Sequence, residues 1–159
     1  GQLDPVVGGT AVELTKAPWT PRRTIYGTID RQNLPNMFRT FDFASPDTHS
    51  PLRFTTTVPQ QALFMMNSPF VRDQVRALAG RSEFQVADAR SRVTQLYRLA
   101  LARQPSEQEL LLGEAYLDQE LSPAPVAAAG APPVSGDAMT PWERYVQVVL
   151  LSNEFVFVD

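Results

Sequence analysis

Few side chains in this sequence could do chemistry, and most of them fall in one stretch. His49 is the single histidine, and Asp42 and Asp47 precede it in an aromatic and acidic loop. Two carboxylates and an imidazole could be drawn as a metal site, but this spacing matches no ordinary ligand geometry. The same two Asp residues are the minimum set for glycoside hydrolysis, which also requires the fold to hold them at a defined separation. A nucleophile would need a Ser or Thr brought beside His49, and the sequence contains no Gly-x-Ser-x-Gly elbow. Haem ligation by His49 with Met37, Met65, Met66 or Met139 competes with a simpler role for adjacent Met65 and Met66, filling gaps on the apolar face of a helix. With zero Cys there is no disulfide, no thiolate ligand and no covalent c-type haem in this segment. Gly8-Gly9 does not lie between a strand and a helix, so it is not a phosphate cradle. No catalytic, metal or cofactor residue follows from these patterns.

The polar residues fit an architectural role better. Arg22, Arg23, Arg31 and Arg53 share one half of the chain with Asp30, Asp42 and Asp47. Guanidinium forks can tie irregular backbone to carboxylates. Gln60, Gln61 and Asn67 can satisfy loop amides around a short helix. The rival reading is a ligand or docking surface made of Tyr26, Phe41, Asp42, Phe43, Asp47 and Arg53.

At 159 residues the chain has the length of one domain, and 43% hydrophobic with 19% charged residues is an ordinary globular composition. No apolar run approaches the ~20 residues of a spanning helix. The formal net charge is −3 and the basic residues are scattered, which excludes a polyanion-binding stripe and makes nucleic acid an unsuitable partner. Of the 14 basic residues only Lys16 is Lys, a bias of composition and not a recognition device.

The elements that would position these groups are mainly helical. The spacing predicts an irregular arm over 1–21, a short strand over Arg23–Ile29 and a brief helix around Leu34–Thr40. Thr57 and Gln60 form a capping box with Pro59 in the first turn, opening a short helix through Met66. Ser68 and Pro69 open another, with Phe70, Val71, Val75, Leu78 and Ala79 as its stripe and Gly80 as its end. Apolar residues from Val86 to Leu101 commit about 86–103 to a long amphipathic helix. Ser106 with Glu109, and Thr140 with Glu143, repeat the capping device for helices after Pro105 and at Pro141. The short turn between the first two of these long helices requires them to be antiparallel neighbours. Ser122–Ala138, rich in Pro, Ala and Gly, reads as a mobile loop, and Phe155–Val158 as an edge strand able to pair with Arg23–Ile29. The expected fold is therefore mainly α: a small bundle of about four helices, an irregular N-terminal arm and one short two-stranded pairing. Its parts are 1–56, 57–119, a loop over 120–139 and a final helix and tail over 140–159.

Several ordered motifs carry a resemblance along nearly the whole chain. They are Gly1-Gln2-Leu3-Asp4 with Gly8-Gly9, Arg22-Arg23-Thr24-Ile25-Tyr26, Phe41-Asp42, Pro59-Gln60-Gln61-Ala62-Leu63, Ala102-Arg103-Gln104-Pro105-Ser106 and Asn153-Glu154-Phe155. Together they resemble the C-terminal domain of unknown function in the multi-domain, cytochrome-c-associated proteins of planctomycetes and their relatives. Ala102 stands where that pattern usually has Gly, a departure that bears on turn geometry alone. The resemblance implies that the chain is a single domain or the C-terminal portion of a larger one, in an exported, periplasmic or cell-envelope protein. It also implies that haem is carried elsewhere in the parent and that upstream domains of the same polypeptide are the partners. An apolar face normally covered by the missing half should then be exposed, and could support a homo-oligomer. The functional expectation is a non-catalytic interaction or scaffold module. The alternative is a contribution to a carbohydrate-binding or glycan-hydrolysing site completed by the rest of the parent.

Overall fold

The computed structural model describes residues 3–47, 49, 59–85, 88–121 and 138–156, the side chains of 119–121 excepted. It is mainly helical, as expected, and forms two compact units, Gly1–Phe70 and Val71–Asp159.

The first unit begins with an arm that lacks regular structure. Its backbone pairs at single residues: the Asp4 N–H donates to the Pro21 carbonyl at 2.8 Å, and Val12 exchanges bonds with Tyr26 and Thr28. Helix α1 (Asn36–Thr40) starts after the extended Pro35 and buries Phe38, with Leu34 buried just before it. Its exit runs through Asp42 at φ 54°, a left-handed conformation that Asp tolerates better than most residues. The turn brings Phe43 N–H to the Phe38 carbonyl at 2.9 Å. Helix α2 (Pro59–Asn67) buries Gln61. The Gln61 amide nitrogen donates to the Thr40 carbonyl at 3.0 Å, so a polar side chain fastens α2 to the end of α1. Thr57, the proposed cap of α2, lies outside the described residues.

The second unit has the clearer core. Helix α3 (Pro69–Ala79) continues into it from the first unit and buries Val71, Val75 and Ala79 on one stripe. After Gly80, a single turn, α4 (Ser82–Gln85), plants a fully buried Phe84. Helix α5 (Ala89–Leu101) is capped by Asp88, whose carboxylate accepts from the Ser91 N–H at 2.9 Å, and it buries Val93, Leu96 and Tyr97. Helix α6 (Glu107–Leu121) opens on the predicted capping box: Ser106 N–H to the Glu109 carboxylate at 2.7 Å, Glu109 N–H to the Ser106 hydroxyl at 3.3 Å. Val93 of α5 lies against Gly113 of α6, Arg103 in the turn pairs with Glu109, and Arg90 at the start of α5 bridges Glu107 at 3.0 Å and Glu114 at 3.3 Å, so the two helices pack on each other as the hairpin their short connection demands. Helix α7 (Pro141–Leu150) carries the other predicted capping box, Thr140 with Glu143, and buries Val146, Val149 and Leu150. Its Trp142 and Tyr145 continue an aromatic series in which Phe84 meets Trp142 at 5.2 Å, Trp142 stacks on Tyr145 at 6.0 Å and Tyr145 on Tyr116 at 5.9 Å. A final turn, α8 (Asn153–Val156), follows.

The β expectation requires correction. Thr24–Tyr26, within the proposed strand, is a 3-10 turn, because Tyr26 N–H and Gly27 N–H close onto the Arg23 and Thr24 carbonyls at 2.9 Å each. What the flanking backbone pairs with is the arm, through the isolated bridges Asp4 with Arg22 and Val12 with Gly27. At the other end, Phe155 and Val156 belong to α8, where their amides donate to the Ser152 carbonyl at 3.1 Å. Among the described residues there is no sheet. The loop proposed for Ser122–Ala138, apart from Ala138, lies outside the described residues, as do Phe157 and Val158.

Candidate functional site

The sequence-predicted polar residues divide by what they hold. Arg22 is the hub of the first unit. Its Nη1 donates to the Asp4 carboxylate at 3.3 Å and to the Val6 carbonyl at 2.7 Å, and its Nη2 donates to the Gly8 carbonyl. The guanidinium also lies 4.2 Å from the centre of the Tyr26 ring, while the Tyr26 hydroxyl accepts from the Gly8 N–H at 3.0 Å. One side chain thus fixes three points of an arm that has no ladder of its own. Gly8 and Gly9 make the curl possible, with φ of 81° and 99°. Asp4 has its carboxyl held below the usual carboxylate range, chiefly by the Val6 N–H, with Arg22 adding to the effect.

Tyr26 is committed to this hub. Phe41, Asp42 and Phe43 are grouped instead around α1 and α2. Phe41 meets Phe64 edge-on at 5.4 Å, and Phe43 packs against Phe38 at 5.2 Å. Both Phe41 and Phe43 remain part-exposed, at 37% and 42%. Asp47 and His49 are exposed, and Arg53 lies outside the described residues. Arg23 gives its backbone carbonyl to the 3-10 turn, but its side chain and that of Arg31 are exposed and form no ion pair among the described residues. Gln60 is exposed, Gln61 is the tie described above, and the Asn67 amide donates back to the Leu63 carbonyl at 2.9 Å. Among the described residues no group of three or more His, Cys, Asp or Glu is placed to hold a metal ion.

The densest polar cluster was not among the candidates. In the second unit Arg103 uses all five of its N–H donors. Nε and Nη2 donate to Glu154 at 2.6 and 2.8 Å, Nη1 and Nη2 to Glu109 at 2.9 and 2.7 Å, and Nη1 also to the Gln104 carbonyl at 3.0 Å. The guanidinium lies 5.2 Å from the Tyr97 ring centre. Hydrogen bonds from Arg103 hold the Glu109 carboxyl down at about 2, helped by the Ser106 N–H, and they lower Glu154 in the same sense. Behind them Tyr145 and Tyr97 share a hydrogen bond, and burial pushes both phenols above the ordinary tyrosine value. The signal for this cluster was present as two separated motifs, Ala102–Ser106 and Asn153–Phe155. Nothing in their spacing said that they meet.

Two of the motifs that carry the resemblance are therefore joined by one guanidinium, and a third, Arg22 to Tyr26, organises the arm. Residues 1–117 match the family described as PSD1, protein of unknown function (DUF1553). The chain belongs to this family. The match includes both ends of the Arg22 hub and, in the second unit, Arg103 and Glu109, while Glu154 and helix α7 lie beyond the matched residues. Neither a curated protein nor a solved structure matches the chain.

Proposed function

We propose that this DUF1553 segment is a non-catalytic scaffold and interaction module of a larger, exported, cytochrome-linked protein, located in the periplasm or cell envelope. The observation that carries this reading is how the best-placed cationic groups are used. Arg22 and Arg103 spend their donors on carbonyls and carboxylates of their own chain, which rigidifies the segment instead of presenting charge to a substrate. The outward side of α6 adds support for an interaction role, since Leu111 and Leu112 are 57% and 65% exposed while Leu110 and Leu117 of the same helix are buried. On this reading the upstream part of the parent is the natural partner and haem resides there.

A second reading keeps a carbohydrate site, because Phe41 and Phe43 present part-exposed rings on either side of Asp42. A glycan-array screen separates the two. The scaffold reading expects no reproducible binding by the chain or by its parent. Binding that disappears in Phe41→Ala with the fold intact would overturn it.

A further inference from the structure

Helix α8 is held in an unusual way for the last described element of a unit. It is a single turn, none of its side chains is buried, and Phe155 is 40% exposed. Its ionic anchor is Glu154, gripped at both oxygens by Arg103 across the α5–α6 turn, while Val156 is half-buried. The two carboxylates on Arg103 are not equivalent. Glu109 belongs to the hairpin itself and also accepts from the Ser106 N–H, whereas Glu154 is the more exposed of the two, at 46% against 30%.

We propose that α8 is an ionic strap: Arg103 holds it closed over the α5–α6 turn, and it opens as one piece while the α5–α6 hairpin stays folded when the Glu154 charge is removed or screened. The hairpin keeps its own capping box and its buried Val93, Leu96 and Leu110, so it does not depend on the strap. Opening bares the Nε edge of Arg103 beside the Tyr97 ring, a fork whose geometry suits a carboxylate, while Glu109 keeps the other edge filled.

Millisecond hydrogen–deuterium exchange on the intact chain tests this, comparing wild type, Glu154→Gln and Arg103→Lys, with wild type also run at low salt and at about 0.5 M salt. The strap predicts that amides of residues 153–156 exchange at least about tenfold faster in Glu154→Gln and at high salt, with protection over 93–100 and 110–117 unchanged. Arg103→Lys should move 153–156 in the same direction. Exchange over 153–156 that is insensitive to both Glu154→Gln and salt would overturn the proposal. So would loss of protection in the hairpin together with α8, because α8 would then be part of one cooperative core.

Discussion

Gly113 of α6 sits directly beneath the Tyr145 hydroxyl of α7: a Cβ placed on Gly113 would come 2.6 Å from that oxygen and 2.9 Å from Val93 Cγ2. A glycine in mid-helix forgoes about 1 kcal/mol of helix propensity relative to Ala. Here it lets three elements of the core close on one another, and the helix carries the propensity cost in exchange for that approach.

Gly113→Ala should therefore destabilise the protein even though it improves α6 as a helix. Overpacking a tight core costs typically 1–3 kcal/mol, which exceeds the propensity gain. The expected net loss is about 1 kcal/mol, or roughly 4–8 °C in Tm for a unit of this size. Tyr145→Phe removes the nearest atom, so the pair should be less destabilised than the two single changes added together. A Tm of Gly113→Ala at or above wild type would show that α7 gives way without cost.

Acid stability follows from Glu109. Its carboxyl is held at about 2 in the folded chain, against 4.5 for a free Glu side chain. Above pH 4.5 both states are ionised and the Arg103 and Ser106 bonds contribute in full. As pH falls from there towards 2, the unfolded chain takes up the proton first, and this contribution is lost. Urea midpoints should fall across that window in wild type and more shallowly in Glu109→Gln. At alkaline pH the sign reverses in origin. Tyr97 and Tyr145 have raised folded values through burial, so the neutral phenols favour the fold below pH 10 and that advantage is lost as pH rises through the shifted values. Tyr145→Phe should flatten the alkaline limb, and an unchanged limb would place the phenols outside the linkage.

Much of the second unit was legible because its instructions are local. Ser106 with Glu109 and Thr140 with Glu143 announce helix starts within four residues, and the stripe through Val93, Leu96 and Tyr97 declares which side faces inward. Helix α5 starts at Ala89 and not near 86 because Asp88 caps it, a signal that the apolar period running through Val86 masks in the sequence, and the single turn of α4 is too short to show a period at all. The strand expected over Arg23–Ile29 failed for a related reason. Its alternation was weak, and local closure by Tyr26 and Gly27 competes successfully with pairing to a distant segment. The Arg103 cluster was hidden because Glu154 lies 51 residues away, and only tertiary structure brings it back. Arginine and glutamine ties were anticipated as a class, yet Arg22 and Gln61 hold identifiable atoms whereas Arg23 and Arg31 point outward.

The arm depends on Arg22 more than on its own backbone, since among the described residues the guanidinium contacts are accompanied by isolated bridges and the Gly8 N–H bond to the Tyr26 hydroxyl. Arg22→Lys retains the charge but loses the planar fork, and one ammonium cannot reach Asp4, Val6 and Gly8 together. Limited proteolysis should then cut within residues 4–9 faster than in wild type, with the thermal transition of the second unit unmoved. Equal cutting rates in the two proteins would mean that the bridges and the Tyr26–Gly8 bond hold the arm without the fork.

Ala102 offers a change in the stabilising direction. It closes α5 at φ 54° and ψ 23°, in the left-handed region where an L side chain crowds the following carbonyl. That conformation costs roughly 1–2 kcal/mol for a residue other than Gly, which is why helices so often end on glycine. The resemblance noted from the sequence has Gly at this position. Ala102→Gly removes the crowding but frees the unfolded chain, a loss of about 0.5–1 kcal/mol, so the net gain should be about 0.5–1 kcal/mol. The effect should stay local, because Gly adopts the same backbone angles freely and Arg103, which follows directly, keeps its direction. A higher urea midpoint with unchanged exchange over 153–156 is the expected result; a lower midpoint would mean that the alanine methyl makes contacts worth more than the strain it imposes.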